Sequence, residues 1–251
     1  MIDSHAHVTS ENYENIEEII HEIKKQGVIA VINAGDRIET SHEVVDLSKK
    51  YNNFILPCVS IHPENVNEIN KLNEIEDIIK NNKVYAVGEI GLDYYYEKDN
   101  KKEQKELLNK QLDLAEKYKL PVIIHTRESI QDVYDELKKR KLKGVIHCFN
   151  GSYEMAKLFI KLGYKLGIGG VLTFKNSKLY ELIEKIDLEN VLLETDSPYL
   201  SPEPFRGKKN IPSNVYYVAK RISEIKNISI DEVINKTTKN AIELFDIKID
   251  L

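Results

Sequence analysis

Two histidines sit two positions apart near the start of the chain, in Asp3-Ser4-His5-Ala6-His7. On an extended strand, side chains two apart point the same way, so the imidazoles of His5 and His7 can meet at one point. Converging imidazoles are what a divalent metal ion takes as ligands. Three further histidines, His62, His125 and His147, and two acids, Glu89 and Asp196, each follow a short apolar run. Of the 7 histidines only His21 and His42 fall elsewhere, on helical patterns. Glu89 lies between Gly88 and the apolar Ile90, and a carboxylate in such company needs a metal or a basic side chain as partner.

His5, His7, His125, His147, Glu89 and Asp196 are more ligands than one tetrahedral catalytic ion uses. They suit two divalent ions sharing a bridge. Glu89, with two oxygens, is the natural bridge; His5, His7 and Asp196 would hold one ion, His125 and His147 the other. Paired ions about 4 Å apart can stabilise both the attacking and the leaving oxygen of an in-line displacement at phosphorus. The mixed nitrogen and oxygen donors fit Zn²⁺, Mn²⁺, Fe²⁺ or Ni²⁺, and Mg²⁺ less naturally. The identity of the ion is left open.

Eight short apolar runs must position these residues. They are Met1-Ile2 and the stretches 28–32, 54–59, 84–87, 122–124, 144–146, 164–168 and 191–193. The second run is expected to end in a turn at Asn33-Ala34-Gly35. Helical spacing follows each run, with Thr40 or Ser41 as N-cap of the helix carrying Val44, Val45 and Leu47, and with helices over 101–118 and 129–140. Runs that are apolar throughout, rather than alternating, suit parallel strands buried on both faces. Eight strand–helix units predict an α/β protein, a (β/α)8 TIM barrel; a doubly wound open sheet is the alternative. In such a barrel the strand C-termini meet at one rim, which is where the histidines and acids would gather. No linker or low-complexity segment interrupts 1–251, which reads as a single domain.

The formal net charge of −5 argues against a nucleic-acid coat protein. Bound divalent ions would still give the site local positive charge toward a polyanion. No apolar run approaches a bilayer span, and the N-terminus lacks the regions of a signal peptide, so a cytoplasmic protein without a membrane partner is expected. Cys58 and Cys148 read as buried thiols in a reducing compartment. The sequence is silent on oligomeric state, and a monomer is the default.

Taken together, the motifs resemble those of the TatD-type metal-dependent deoxyribonucleases, within the amidohydrolase superfamily of TIM barrels. They are DSHAH at 3–7, SIHPE at 60–64, AVGEIGLDYYY at 86–96, PVIIHTRES at 121–129, IHCFNGS at 146–152, LLETDSPYLSP at 192–202 and FRGKKNIPSNV at 205–215. The likeness runs over essentially the whole chain. Ser60 is the one departure, standing where the pattern leads us to expect glycine and slightly crowding that turn. The resemblance implies metal-dependent phosphodiester hydrolysis, usually of DNA and often from a 3′ end, with RNA also open. It carries the same six metal ligands onto this chain and sets His62 near the substrate phosphate.

Asp196, with a second oxygen, is the expected general base, and Arg127 and then Arg206 are further phosphate contacts. Asp93 would orient a ligand or fix its loop, and Tyr94, Tyr95 and Tyr96 would stack on bases or pack a lid. The competing reading is a deacylase or lactonase of the same fold. Many amide hydrolases of that fold carry a modified lysine after the fifth strand, where this chain has His125. A metal- or nucleic-acid-binding protein without catalysis is a third class, and the complete ligand set argues against it.

Overall fold

The computed structural model describes residues 1–96 and 98–248. Eight strands, β1 Ile2–Ala6, β2 Ala30–Gly35, β3 Ile55–Val59, β4 Ala86–Asp93, β5 Val122–Arg127, β6 Gly144–Ile146, β7 Tyr164–Ile168 and β8 Val191–Leu193, pair in parallel in sequence order. The ends of the sheet meet. The His7 amide donates to the Ser197 carbonyl at 2.7 Å and the Asp196 amide to the His5 carbonyl at 3.0 Å. This is the predicted (β/α)8 barrel, and the open-sheet alternative is excluded.

The helices are α1 Ile16–Lys25, α2 Ile38–Lys50, α3 Leu72–Asn81, α4 Lys101–Tyr118, α5 Ile130–Leu137, α6 Tyr153–Lys161, α7 Leu179–Lys185, α8 Val215–Lys226 and α9 Ile230–Phe245. Several start on side-chain caps, as where Asn15, Ser152 and Ser229 accept the amides of Glu18, Met155 and Glu232. Strand alternation sorts the core into two bodies. Ile32, Leu56, Ile123, Val145 and Leu192 fill the barrel, and Leu244 and Phe245 of α9 pack onto them. The intervening Val31, Ile55, Ile124 and Ile146 face outward into the helices.

Several sequence boundaries are corrected. Asn33-Ala34-Gly35 is not a turn but the end of β2, in register with Pro57, Cys58 and Val59 of β3. The strands β1, β4 and β5 likewise run on through their polar ends, so His5, Glu89 and His125 lie within strands and not beyond them. Apolar patterning stops where side chains turn polar, whereas the backbone ladder continues, as in Gly91 opposite His125 and Asp93 opposite Arg127. Neither Thr40 nor Ser41 caps α2. That helix begins at Ile38 behind Arg37, and the Thr40 hydroxyl instead accepts the Asp36 and Arg37 amides. The helix expected over 129–140 is the shorter α5.

Three buried side-chain amides clamp the strand ends that carry the site. Asn33 accepts the Val8 amide at 2.6 Å and donates to the Val8 carbonyl at 2.9 Å. Gln111 does the same at Ile61, at 2.8 and 2.9 Å. Gln104, also on α4, accepts the Asp93 amide at 2.8 Å and donates to its carbonyl at 2.9 Å. Each satisfies both backbone groups of one residue, which matters because an unpaired buried amide costs free energy. Ser60 does not crowd its turn: its hydroxyl lies 3.1 Å from the Gly35 carbonyl and 2.9 Å from that of Glu89, linking β2, β3 and β4.

Gly91 leaves β4 and β5 close enough to pair, since a Cβ there would strike the His125 carbonyl oxygen. Gly91→Ala is therefore expected to destabilise the fold by about 1–3 kcal/mol through overpacking. A lower urea midpoint with an unchanged denaturant slope would report it.

Candidate metal centre

The donors converge where the chain order would scatter them. Glu89 is the hub. Its Oε2 lies 3.1 Å from His5 Nε2 and 3.6 Å from His7 Nε2. Its Oε1 lies 2.7 Å from His125 Nδ1, 3.7 Å from His147 Nε2 and 3.7 Å from His62 Nε2. Asp196 Oδ1 lies 3.8, 3.7 and 3.5 Å from the Nε2 atoms of His5, His7 and His147. His5 Nε2 and His7 Nε2 are 3.1 Å apart. Ligands at about 2.1 Å around a tetrahedral ion stand about 3.4 Å from one another, so these spacings fit a shared cation. Groups of three donors form as His5, His7 and Asp196, as His5, Glu89 and His147, and as His62, Glu89 and His125. His147 thus stands against His5 as well as on the Oε1 side of Glu89.

What lies behind each ring decides which nitrogen faces inward. His7 Nδ1 faces the Ala34 carbonyl at 3.2 Å, His125 Nε2 faces Asp93 Oδ2 at 3.1 Å, and His147 Nδ1 faces Glu194 Oε1 at 3.1 Å. In a neutral ring the Ala34 carbonyl behind His7 and the Asp93 carboxylate behind His125 would hold the proton on the outward nitrogen, freeing the other toward the hub once the proton between His125 and Glu89 is lost. Neither His5 Nδ1 nor His147 Nδ1 has a hydrogen-bond partner among the described residues; the Glu194 carboxylate faces His147 as a charge only. His62 is opposite in kind: its Nδ1 accepts the Glu64 amide at 3.3 Å, which leaves the neutral ring with N–H at Nε2.

Asp3 and Glu194 are the buried acids that the sequence reading passed over. Asp3 Oδ1 accepts the His5 amide at 3.2 Å and the Thr195 amide at 3.0 Å, fastening β1 to the end of β8. Glu194 Oε1 accepts the Cys148 amide at 2.6 Å besides facing His147, and Gly167 leaves the room it occupies. The signal was present in both cases, as an acid two residues from a candidate ligand in the same motif. Cys58 is buried as expected, but Cys148 is only partly so; it lines the cavity at positive φ with Sγ 3.9 Å from Asp196 Oδ2.

The centre opens into a cavity of about 930 Å³ lined by His7, His62, Glu89, His125, Arg127 and Asp196 among others. Arg127 is at its rim with its guanidinium 4.3 and 4.4 Å from the ring centres of Tyr95 and Tyr96. Arg206 is not brought into this lining; it stacks 4.2 Å from the Phe174 ring centre.

Burial opposes every charge here, and the neighbours decide the outcome. Burial raises the Glu89 carboxyl, but the charges of His147 and His5 and hydrogen bonds from His125 and His5 outweigh it and hold it well below its usual range. Burial works against charge on His125, yet its bonds to Asp93 and Glu89 raise it from 6.5 to about 9. Asp93 is held down to about 2 because the His125 bond and the Tyr96 and Tyr95 amides outweigh its burial.

An eight-stranded barrel with nitrogen and carboxylate donors on its C-terminal rim defines a metal-dependent hydrolase. Residues 2–246 match the model of the TatD related DNase family, and the chain belongs to that family. It is 38% identical over 254 residues to the uncharacterized metal-dependent hydrolase YabD of Bacillus subtilis, covering 98% of this chain and 99% of the relative. It is 30% identical over 261 residues to the human deoxyribonuclease TATDN3, covering 98% and 94% of the two chains. The solved structure of YJJV, a TatD homolog from Escherichia coli, superposes with a TM-score of 0.91 at 30% identity, covering 99% of this chain and 98% of that one. Among the described residues no helix is long and apolar enough to cross a membrane.

Below about pH 9 His125 carries a proton that a metal must displace. The apparent affinity of metal-stripped protein for a divalent ion is therefore expected to rise about tenfold per pH unit toward pH 9 and then flatten. Calorimetry in buffers of different ionisation enthalpy would count the released protons. The sign for stability is the reverse. The raised His125 pKa stabilises the metal-free fold fully below pH 6.5, and that contribution is lost as pH rises through about 9.

Proposed function

We propose that the chain hydrolyses phosphodiester bonds of DNA, trimming single-stranded ends from the 3′ side with two divalent ions. The division of contacts at Glu89 carries this reading: one oxygen faces His5 and His7, the other faces His125 and His147. That is the arrangement a bridging carboxylate needs. His5, His7 and Asp196 would hold one ion, and His125 and His147 the other, with Glu89 common to both. When bound, such ions acidify water and offset charge on phosphate oxygens.

The chain's own groups supply the rest. Asp196 directs Oδ1 at the three imidazoles, and its Oδ2 meets only the weak donor of the Cys148 thiol, at 3.9 Å, among the described residues. A thiol at that distance holds Oδ2 loosely, and Oδ2 would take the proton of the attacking water as general base. His62, with N–H at Nε2, donates to a phosphate oxygen and does not serve as a ligand. Arg127 meets a phosphate at the rim, and Arg206, outside the cavity, meets one farther along the strand. Asp93 sets the His125 ring, and Glu194 that of His147. The similarity to a human relative named a deoxyribonuclease supports DNA as the substrate.

Metal-stripped protein given a single-stranded oligonucleotide labelled at its 3′ or 5′ end tests this. With Mg²⁺, Mn²⁺ or Zn²⁺ added, the 3′ label is expected to leave first; without metal neither end is lost. Hydrolysis of an ester or amide with no cleavage of DNA would establish the deacylase or lactonase instead. Glu89→Ala is expected to lower metal-dependent cleavage by at least about 10²-fold, as loss of transition-state charge stabilisation does. Asp196→Asn should lower kcat by about 10²–10⁴-fold.

A further inference from the structure

Two large aromatic side chains stand exposed over the cavity. Tyr96 is 58% exposed and Tyr199 56%, and both line it. Tyr96 follows β4 and Tyr199 follows β8, four strands apart in an eight-strand order, so they stand on opposite sides of the rim. Between them, on the same two strands or just past them, lie Glu89 and Asp196. Each tyrosine is tied by its backbone to the donor cluster below. The Tyr96 amide donates to Asp93 Oδ1 at 2.9 Å, and the Tyr199 amide to the Asp196 carbonyl at 2.8 Å. The Tyr199 ring lies 6.2 Å from that of His7.

Charge around the rim fixes the direction in which a polyanion can cross. The arc after β1, β2 and β3 carries Glu11, Asp36 and Glu64 in the lining, against the single guanidinium of Arg37, which pairs with Glu11 and Asp36. Arg127 lies on the other side, at the end of β5, beside Tyr96. A strand avoiding the carboxylates crosses from the β4 side to the β8 side, past Arg127. A phosphodiester over the centre then has one nucleotide on each side, and each side presents an exposed ring.

We infer that Tyr96 and Tyr199 form a pair of stacking subsites for the two nucleobases flanking the scissile phosphate of single-stranded DNA. This rests on the nuclease reading and adds to it the parts of the substrate that are bound away from the metals. Flat bases and exposed tyrosine rings pair face to face without reading sequence, so the subsites accept any base. They require a strand with unstacked ends, which a closed duplex does not offer.

The test crosses protein and substrate changes, using metal-loaded enzyme. Tyr96→Ala, Tyr199→Ala and the corresponding Phe variants are assayed on a single-stranded oligonucleotide and on the same oligonucleotide with an abasic residue at either of the two 3′-terminal positions. Each Ala variant is expected to raise KM for the native strand about 5- to 150-fold, with the Phe variants much closer to the parent. Removing the base should cost the parent enzyme a similar factor and the matching Ala variant little more, so the two penalties do not add. Unchanged KM in the Ala variants, or penalties that simply multiply, would overturn the subsites while leaving the nuclease intact. Parent enzyme that cleaves esters but no DNA would overturn the nuclease reading and the subsites together. An equal loss in Phe and Ala variants would place the effect in the hydroxyls and also overturn stacking.

Discussion

One carboxylate within reach of five imidazoles is the constraint on which the rest of the structure depends. Glu89 is almost fully buried, and His5, His7, His62, His125 and His147 all approach it within 4 Å. A buried charge with poor company would neutralise or unfold the site. Here the carboxylate stays ionised because the rings surround it, and the rings tolerate burial because it is there. The closed circle of strands brings residues from these separate parts of the chain to one rim.

Holding the rings in place is a second demand, met from behind. A carbonyl at Ala34 and the carboxylate of Asp93 take the outward-facing nitrogens of His7 and His125, and the Glu194 carboxylate stands 3.1 Å behind His147 as a facing charge. His62 is held by a donor, the Glu64 amide, and so differs in what it presents although its distance to the hub is similar. Distance alone groups His62 with Glu89 and His125; the hydrogen-bond partner separates it chemically. Asp93 serves two masters through its two oxygens, with Oδ2 at His125 and Oδ1 at the amides of Tyr95 and Tyr96. The geometry of the metal centre and that of the aromatic rim are therefore set by the same side chain.

The strand ends need fixing because they carry the chemistry and their backbone groups extend past the ladder of neighbouring strands, although Val8 and Ile61 still pack into the apolar core. Asn33, Gln104 and Gln111 fix them by closing both backbone groups of Val8, Asp93 and Ile61. Val8 follows His7, and Ile61 precedes His62, so each clamp acts next to a functional side chain. Such clamps add fixed backbone hydrogen bonds to the apolar packing of the rim.

The sequence by itself determined the class of fold and the membership of the rim. Apolar runs without alternation require strands covered on both faces, and eight of them interleaved with helices lead to a barrel. The histidines and acids were legible because each ends such a run. Where β1, β2, β4 and β5 stop was not legible, since patterning records side-chain burial while the ladder is made by backbone groups of any residue. The roles of Gln104 and Gln111 were hidden because each is defined by partners elsewhere in the chain, Asp93 and Ile61, whereas Asp3 and Glu194 stood in the ligand motifs themselves. Tertiary structure alone decided that Arg127 lies over tyrosine rings and Arg206 over Phe174, outside the cavity. It also decided which nitrogen His7, His62 and His125 turn inward, because that depends on a hydrogen-bond partner, and spacing along a chain does not encode it.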